Sequence, residues 1–431
     1  MQYFSVVGLC LLALATAQEV PTLSPVTSVK GKQFNRFVTI WLENTDYDKA
    51  AGDPNLKWLA TQGITLTNYF GVTHPSMGNY VAAVAGDYFG INHDDYLEIP
   101  KNISTIADVL DAGKISWGEY QEDMPYTGYT PFEWVNQQTK ANMYVRKHNP
   151  LVIFDSVSTN KDRLGLIKNT TVFWEDVKNE KLPQWMFITP NMTSDGHDSS
   201  VTVAGKWTRD FLNPLLNNTY FMKDTLVLVT FDENHTYTSQ NKVFSILLGG
   251  AVDKSLHGTT DDNYYNHYSE ISTVCANWGL PTLGRYDVGA NVFSLVAKKT
   301  GDVVRVNPDL QNTYLNVSYP GPWNHKTWAA HPAPNVSLVI NGREVLQSIK
   351  DQFKDGGNTY YNGSVEVPSG LVPPVLIKEG GAFNGSHGSN GNGNYSNNNG
   401  NNNNKNPANA AGKVTAFMPV VLATVVLGWF L

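Results

Sequence analysis

The chain has 431 residues, of which 41% are hydrophobic, 12% aromatic and only 16% charged. That is apolar enough for a large core, and it excludes a wholly disordered or collagen-like chain. The formal net charge is −7. No broad electrostatic footprint for nucleic acid is expected, while a local positive well for an anionic substrate stays open.

The chain opens with an apolar run over residues 4–15, and Ala15-Thr16-Ala17 then gives small residues at an A-x-A spacing. This predicts a secretory signal over residues 1–17, cleaved near Gln18, with a buried terminal helix as the alternative. Residues 18–34, with Pro21 and Pro25, read as an extended lead-in. Buried strands are expected at 37–42, 185–189, 225–231 and 244–248, each a continuous run of Val, Ile, Leu, Phe or Trp. Helix-like stretches fall at 53–62, 104–112, 203–216 and 269–278. Strands alternating with helices predict an α/β sandwich with a mainly parallel central sheet flanked by helices. The catalytic part is expected over 35–304. A Pro-rich, irregular or β-rich appendage follows over 305–384.

From 385 to 413 the chain is mostly Asn, Gly and Ser, a composition for a flexible stalk. Small residues Asn409, Ala410, Ala411 and Gly412 precede an apolar tail over 414–431. That pattern predicts a glycolipid (GPI) anchor with the tail removed, on the outer face of the plasma membrane or passed on to cell-wall glucan. A plain C-terminal membrane helix is the alternative. Sequons agree with secretion. Glycans are expected at Asn102, Asn169, Asn217, Asn316, Asn335, Asn362, Asn384 and Asn394, whereas Asn191 and Asn234 are expected bare because they fall at strand ends near the chemistry. Cys10 leaves with the signal. Cys275 then has no partner, and stability must come from the core.

In parallel sheets the chemistry gathers beyond the strand carboxyl ends. The first strand runs into Glu43, Asn44 and Asp46, and the strand at 225–231 into Asp232, Glu233, Asn234 and His235. The strand at 185–189 runs into Asn191, Asp195, His197 and Asp198. Clustered carboxylates repel unless a cation or a proton compensates them, so one divalent metal ion of unknown identity is expected. Ser76 follows His74 and opens a small apolar helix, where free N–H groups favour an anion. It reads either as an N-cap or as a nucleophile. His93, beside Asp94 and Asp95, reads as a solvated loop residue. His148 is left open between pocket and core.

Taken together, the segments at 41–45, 74–80, 119–125, 147–150, 189–198, 230–234 and 266–269 resemble the phosphoesterase family of acid phosphatases and phospholipase C-type enzymes, within the alkaline-phosphatase-like superfamily. The likeness extends to secreted, GPI-anchored fungal acid phosphatases. The resemblance implies an alkaline-phosphatase-like sandwich and hydrolysis of phosphate monoesters by a metal-assisted hydroxyl. By position it implies Ser76 as nucleophile and Glu43, Asn44, Asp232 and Glu233 as metal ligands. His197 and His267 would protonate the leaving group or hold phosphate, and Asn79, Asp198 and His74 would contact substrate. Glu233 departs from the second Asp common in bacterial members. The competing readings are a phospholipase C-type phosphodiesterase, which an apolar rim near 120–135 would favour, and a wall glycoprotein without activity.

Overall fold

A computed structural model describes residues 20–305 and 318–364. The expected signal, stalk, apolar tail and anchor region, with Asn316, Asn384, Asn394, Asn409, Ala410, Ala411 and Gly412, lie outside them. No helix among the described residues is long and apolar enough to cross a membrane.

The centre is strand β1 (Arg36–Leu42), buried at every position after the first. Burial of both alternating faces is what its unbroken apolar run requires. Around it form β2 (Gly63–Phe70), β3 (Trp117–Gln121), β4 (Ile167–Asn169), β5 (Trp185–Thr189), β6 (Thr225–Phe231), β7 (Lys242–Leu248), β8 (Thr259–Asp261) and β9 (Tyr265–Asn266). They make one nine-stranded sheet in the order β8-β2-β7-β6-β1-β5-β3-β4, with β9 also beside β2. β1 runs parallel to both neighbours, Phe37 standing opposite Trp185 and Leu226. Only β7 runs against the rest. The reason is its connection: the loop 232–241 turns straight back from β6, whereas a parallel neighbour needs a long crossover. The expected mainly parallel α/β sheet is thus the observed one.

The helices form where their start signals lie. α1 (Pro54–Ala60) begins with Pro behind Asp53, whose carboxylate accepts from Asn55 N and Leu56 N. α2 (Ser76–Ala85) is buried throughout, and its small side chains allow that. α3 (Ile106–Ala112) carries a Thr105–Asp108 capping box. α4 (Thr170–Lys178) is capped by Asn169, and α5 (Val201–Leu216) by Ser200. α6 (Tyr268–Trp278) is buried along nearly its whole length. It ends at Gly279, where φ of 66° suits only a residue without Cβ steric cost. α1 packs on α5, and α2 packs on α6.

Two irregular segments are sewn to this body by side chains. In the lead-in, Gln33 N and Phe34 N donate to Asn277 Oδ1 of α6, and Asn277 Nδ2 returns a bond to Phe34 O. Residues 318–364 form a short hairpin (Val339–Ile340 with Arg343–Glu344) and the helix Gln347–Gln352. Val345, Leu346 and Ile349 enter the main core. Asp87 is the fastening point: its carboxylate accepts from the hydroxyls of Tyr319, Tyr360 and Tyr361 and from Phe89 N. Burial raises its pKa despite those four donors.

Removing this carboxylate strands several buried hydroxyls. Asp87→Ala should destabilise the fold by about 3 kcal/mol, read in a denaturant titration. Wild-type stability in that variant would show that the C-terminal segment is held by packing alone.

Candidate active site

β6, β1 and β5 are neighbours and run in the same direction, so their carboxyl ends open at one edge. Glu43, Asp232, Glu233 and Asp195 arrive there and are all fully buried. The end of β2 leads to the same edge through Thr73, His74 and the start of α2.

Ser76 is the first residue of α2 and sits inside this group. Its Oγ lies 3.2 Å from Glu43 Oε2 and 3.5 Å from Asn44 Oδ1. The other Glu43 oxygen accepts from Tyr80 OH at 2.5 Å. Tyr80 lies one helical turn beyond Ser76, which places both on one face of α2. Asn44 bridges the acidic pair, its N–H on Asp232 Oδ1 at 3.1 Å and its Nδ2 on Glu233 Oε1 at 3.0 Å. Asn79 Nδ2 donates to Glu233 Oε2 at 3.0 Å, while Asn79 Oδ1 accepts from Val72 N and Thr73 N. His74 stands between Glu233 (Nδ1 to Oε2, 3.1 Å) and Asn234 (Nε2 to Oδ1, 3.1 Å). Glu43, Asn44, Ser76, His74, Asn79, Asp232 and Glu233 thus form one connected network.

Four further residues join it: His148, Asp195, Asp94 and Lys147. His148 stacks on Tyr80 and lies 3.3 Å from Glu43 Oε1 and 3.5 Å from Asp195 Oδ2. Glu43, His148 and Asp195 each offer one atom within 4.8 Å of the others, a possible metal-binding group. Asp94 accepts from Met77 N at 3.0 Å and pairs with Lys147 Nζ at 2.9 Å. The anion seat expected at the start of α2 is therefore taken at Met77 by a carboxylate of the chain itself. The quoted segments at 147–150 and 189–198 held the signal for Lys147, His148 and Asp195, but not for their contacts.

His197 and His267 separate. His197 is exposed, N-terminal to Asp198 and 2.8 Å from its carboxylate through Nδ1, and its N–H fixes Asp195 Oδ1. His267 is wholly buried behind Asp232. Its Nε2 donates to Asp232 O at 2.6 Å, and its Nδ1 faces Tyr69 OH at 3.3 Å. Burial lowers its pKa to about 3. In this placement both ring nitrogens are engaged, and the ring supports the carbonyl between Asp232 and Glu233.

The electrostatics follow from burial. Desolvation, then mutual repulsion, pushes Glu43, Asp195, Asp232 and Glu233 well above the carboxylate range. Burial lowers the Lys147 pKa, but Asp94, Glu43 and Asp232 together outweigh it and hold it above the usual lysine value. Burial lowers His74 to about 4. Asp232 Oδ2, Asp195 Oδ2 and His148 Nε2 are buried without a hydrogen-bond partner. Carboxylates, an amide and imidazoles with spare lone pairs fit a hard or borderline divalent cation. Glu233 differs in that both its oxygens already receive amide donors.

Of the sequon residues, Asn102, Asn217 and Asn362 are exposed, and Asn169 and Asn335 are half-buried. Asn234 is buried, its Nδ2 donating to Thr236 O and Ser239 Oγ. Asn191 Nδ2 donates to Asp123 Oδ2 at 2.6 Å.

A hydroxyl at a buried helix start, ringed by carboxylates beyond the ends of parallel strands, defines a hydrolytic enzyme site. Residues 52–281 match the model of the phosphoesterase family, and the chain belongs to that family. It is 52% identical to an acid phosphatase of Aspergillus fumigatus over 80% of this chain and 78% of that one. It is 56% identical to a phosphate-repressible acid phosphatase of Penicillium chrysogenum over 78% of this chain and 82% of that one. A crystal structure of a Vibrio parahaemolyticus protein in the alkaline phosphatase superfamily is similar at a TM-score of 0.38 and 14% identity, over 58% of this chain and 68% of that one.

Two outcomes follow from this geometry. Glycopeptide mapping should find Asn191 and Asn234 unmodified; high occupancy at either would contradict the bonds just described. Glu119 and Glu270 are buried near the site, and burial raises each to about 8 from 4.5. A carboxyl raised in the fold stabilises it below the unfolded pKa and loses that contribution as pH climbs through the folded value. Stability should therefore decline between pH 4.5 and about 8. Glu119→Gln should remove about 1.4 kcal/mol per pH unit from that slope, measured by denaturant unfolding. An unchanged slope would mean that Glu119 stays ionised in the fold.

Proposed function

We propose that this chain is an acid phosphatase that hydrolyses phosphate monoesters, with Ser76 as nucleophile and one divalent cation beside it. One observation carries the reading: Ser76 Oγ lies 3.2 Å from Glu43 Oε2, within a buried carboxylate group that has unpartnered oxygens. The relatives named acid phosphatase support the substrate class. The residues that would hold the cation are Glu43, Asn44, Asp232 and Glu233, with Asp195 and His148 adjoining Glu43. When bound there, a divalent cation lowers the pKa of a nearby hydroxyl and screens the approach of a dianion.

The chain's own groups account for the remaining chemistry. Glu43, ionised once the cation sits beside it, accepts the Ser76 hydroxyl proton and aims the oxygen. Ser76 Oγ bonds to phosphorus, the bond from phosphorus to the alcohol oxygen breaks, and a phosphoserine remains. His197, held by Asp198, gives the departing oxygen its proton. Its solvent contact lets it recover one. Water then takes the phosphoryl group, releases inorganic phosphate and returns the serine. An incoming dianion competes with Asp94 for Met77 N–H and Lys147. Asn79 and His74 act through Glu233. His267 holds the backbone at Asp232.

A second reading has its own support. Tyr126, Phe132 and Trp134 are exposed, and Phe132 lines a crevice with Met77, Arg146 and Lys147. The hairpin Glu133–Val135 with Asn142–Val145 leads directly into Lys147 and His148. An apolar rim at that place suits a phosphate ester with a lipid or aromatic body, including a diester. For location, the sequence pattern supports secretion and a GPI anchor at one of Asn409, Ala410, Ala411 or Gly412, with plasma membrane or cell-wall glucan as neighbour.

The test is hydrolysis of p-nitrophenyl phosphate by wild type and Ser76→Ala across acid and neutral pH. The variant should lose at least about 10³-fold in kcat with its fold retained. Chelation should depress wild-type activity, and a divalent salt should restore it. Full activity in Ser76→Ala would remove the nucleophile assignment. Faster cleavage of bis-p-nitrophenyl phosphate than of the monoester would favour the diesterase.

A further inference from the structure

The residue that protonates the leaving oxygen in the scheme above stands on a segment without helix or strand. Residues 190–198 follow β5 and carry Asn191, Asp195, His197 and Asp198 toward the site. A side chain on such a segment keeps one position only if other elements hold the segment, and small misplacements of a reacting group are costly.

Asn191 is the hub of this segment. Its Oδ1 accepts from Thr193 N at 3.0 Å and from Ser194 N at 2.8 Å, and its carbonyl oxygen accepts from Asp195 N at 2.8 Å. Asp195 Oδ1 accepts from His197 N, and Met192 O accepts from Asp198 N, both at 2.8 Å. The turn that presents His197 and Asp198 is thus wound on Asn191 and Met192.

Two carboxylates grip the hub from the exit of β3. Glu122 Oε2 accepts from Asn191 N at 2.8 Å, and Asp123 Oδ2 accepts from Asn191 Nδ2 at 2.6 Å. Glu122 N donates to Thr189 O at 2.9 Å, at the end of β5. The second Glu122 oxygen accepts from Trp207 Nε1 of α5 at 3.0 Å. One residue therefore ties the exit of β3 to β5, to the 190–198 segment and to α5. Asp123 sits at φ of 58°, a conformation that Asp and Asn tolerate better than most side chains. Neither residue belongs to the network around Ser76.

We propose that Glu122 and Asp123 are positioning residues for the phosphatase reaction: they lock Asn191 so that His197 meets the departing oxygen. This rests on the proton-donor role given to His197 above. Carboxylates suit the task because their bonds to N–H groups are shorter and stronger than neutral ones. In Glu122→Gln one of the two acceptor oxygens becomes an NH2, which faces the N–H of Asn191 or of Trp207, and the segment loosens. The cost falls on protonation of the leaving oxygen, because the phosphate seat at Met77 and Lys147 is built from other segments.

The test uses the full chain and two esters. Nitrophenolate departs without a proton and the glycerol oxygen needs one, so p-nitrophenyl phosphate and glycerol 2-phosphate differ in their demand for the acid. The readout is the ratio of kcat/KM on the nitrophenyl ester to that on the glycerol ester. It should rise at least about tenfold in His197→Ala, Glu122→Gln and Asp123→Gly, each with wild-type circular dichroism. Glycine suits the positive φ, so Asp123→Gly removes the carboxylate without straining the backbone. Asp123→Asn, whose amide oxygen still accepts from Asn191, should restore the wild-type ratio. Equal losses on both esters in Glu122→Gln and Asp123→Gly, with His197→Ala still selective, overturn the positioning role alone. An unchanged ratio in His197→Ala removes the proton-donor reading, and the proposal falls with it.

Discussion

The burial of carboxylates at the carboxyl edge of a parallel sheet is the constraint that the rest of this structure serves. Adjacent strands lie about 4.8 Å apart, so side chains leaving β6, β1 and β5 at the same level meet each other. Here the meeting groups are Asp232, Glu43 and Asp195, with Glu233 beside them. Removal from water and mutual repulsion both oppose their ionisation. The surrounding residues answer that cost with directed donors: Tyr80 on Glu43, Asn44 across the acidic pair, Asn79 on Glu233 and Lys147 through Asp94. What the donors leave unmatched, protons or a cation must supply. Raised Glu119 and Glu270 extend the same tendency into the core, and acidic surroundings favour the fold on those grounds too.

Such a cluster needs a rigid platform, and the sheet provides it. β1, β5 and β6 are apolar on both faces, so their register is fixed by close packing on each side. α2 and α6 press on Trp41 through Tyr80 and His267. His267 is informative here. A histidine at a family-matched position, which a motif reading sends to the reaction, is spent on holding one carbonyl and one tyrosine.

Continuous apolar runs made the central strands and their polar exits legible from sequence, and hence Glu43, Asn44, Asp232 and Glu233. The start of α2 was legible from Ser76 followed by small residues. β2 was not, because Thr65, Thr67 and Asn68 interrupt its apolar residues, and β3, β4, β8 and β9 were not, because short strands carry little periodicity and exist through pairing. The direction of β7 lay in the length of a loop rather than in its apolar residues. Asp94, Lys147 and His148 reach the site from segments far away in sequence, and composition does not report such contacts.

Cys275 shows a different side of the design. It is the single cysteine among the described residues, buried in α6, where desolvation keeps its thiol protonated and inert. In the native molecule it behaves as a small apolar side chain. Once α6 opens, that thiol meets solvent and regains the reactivity that burial withholds.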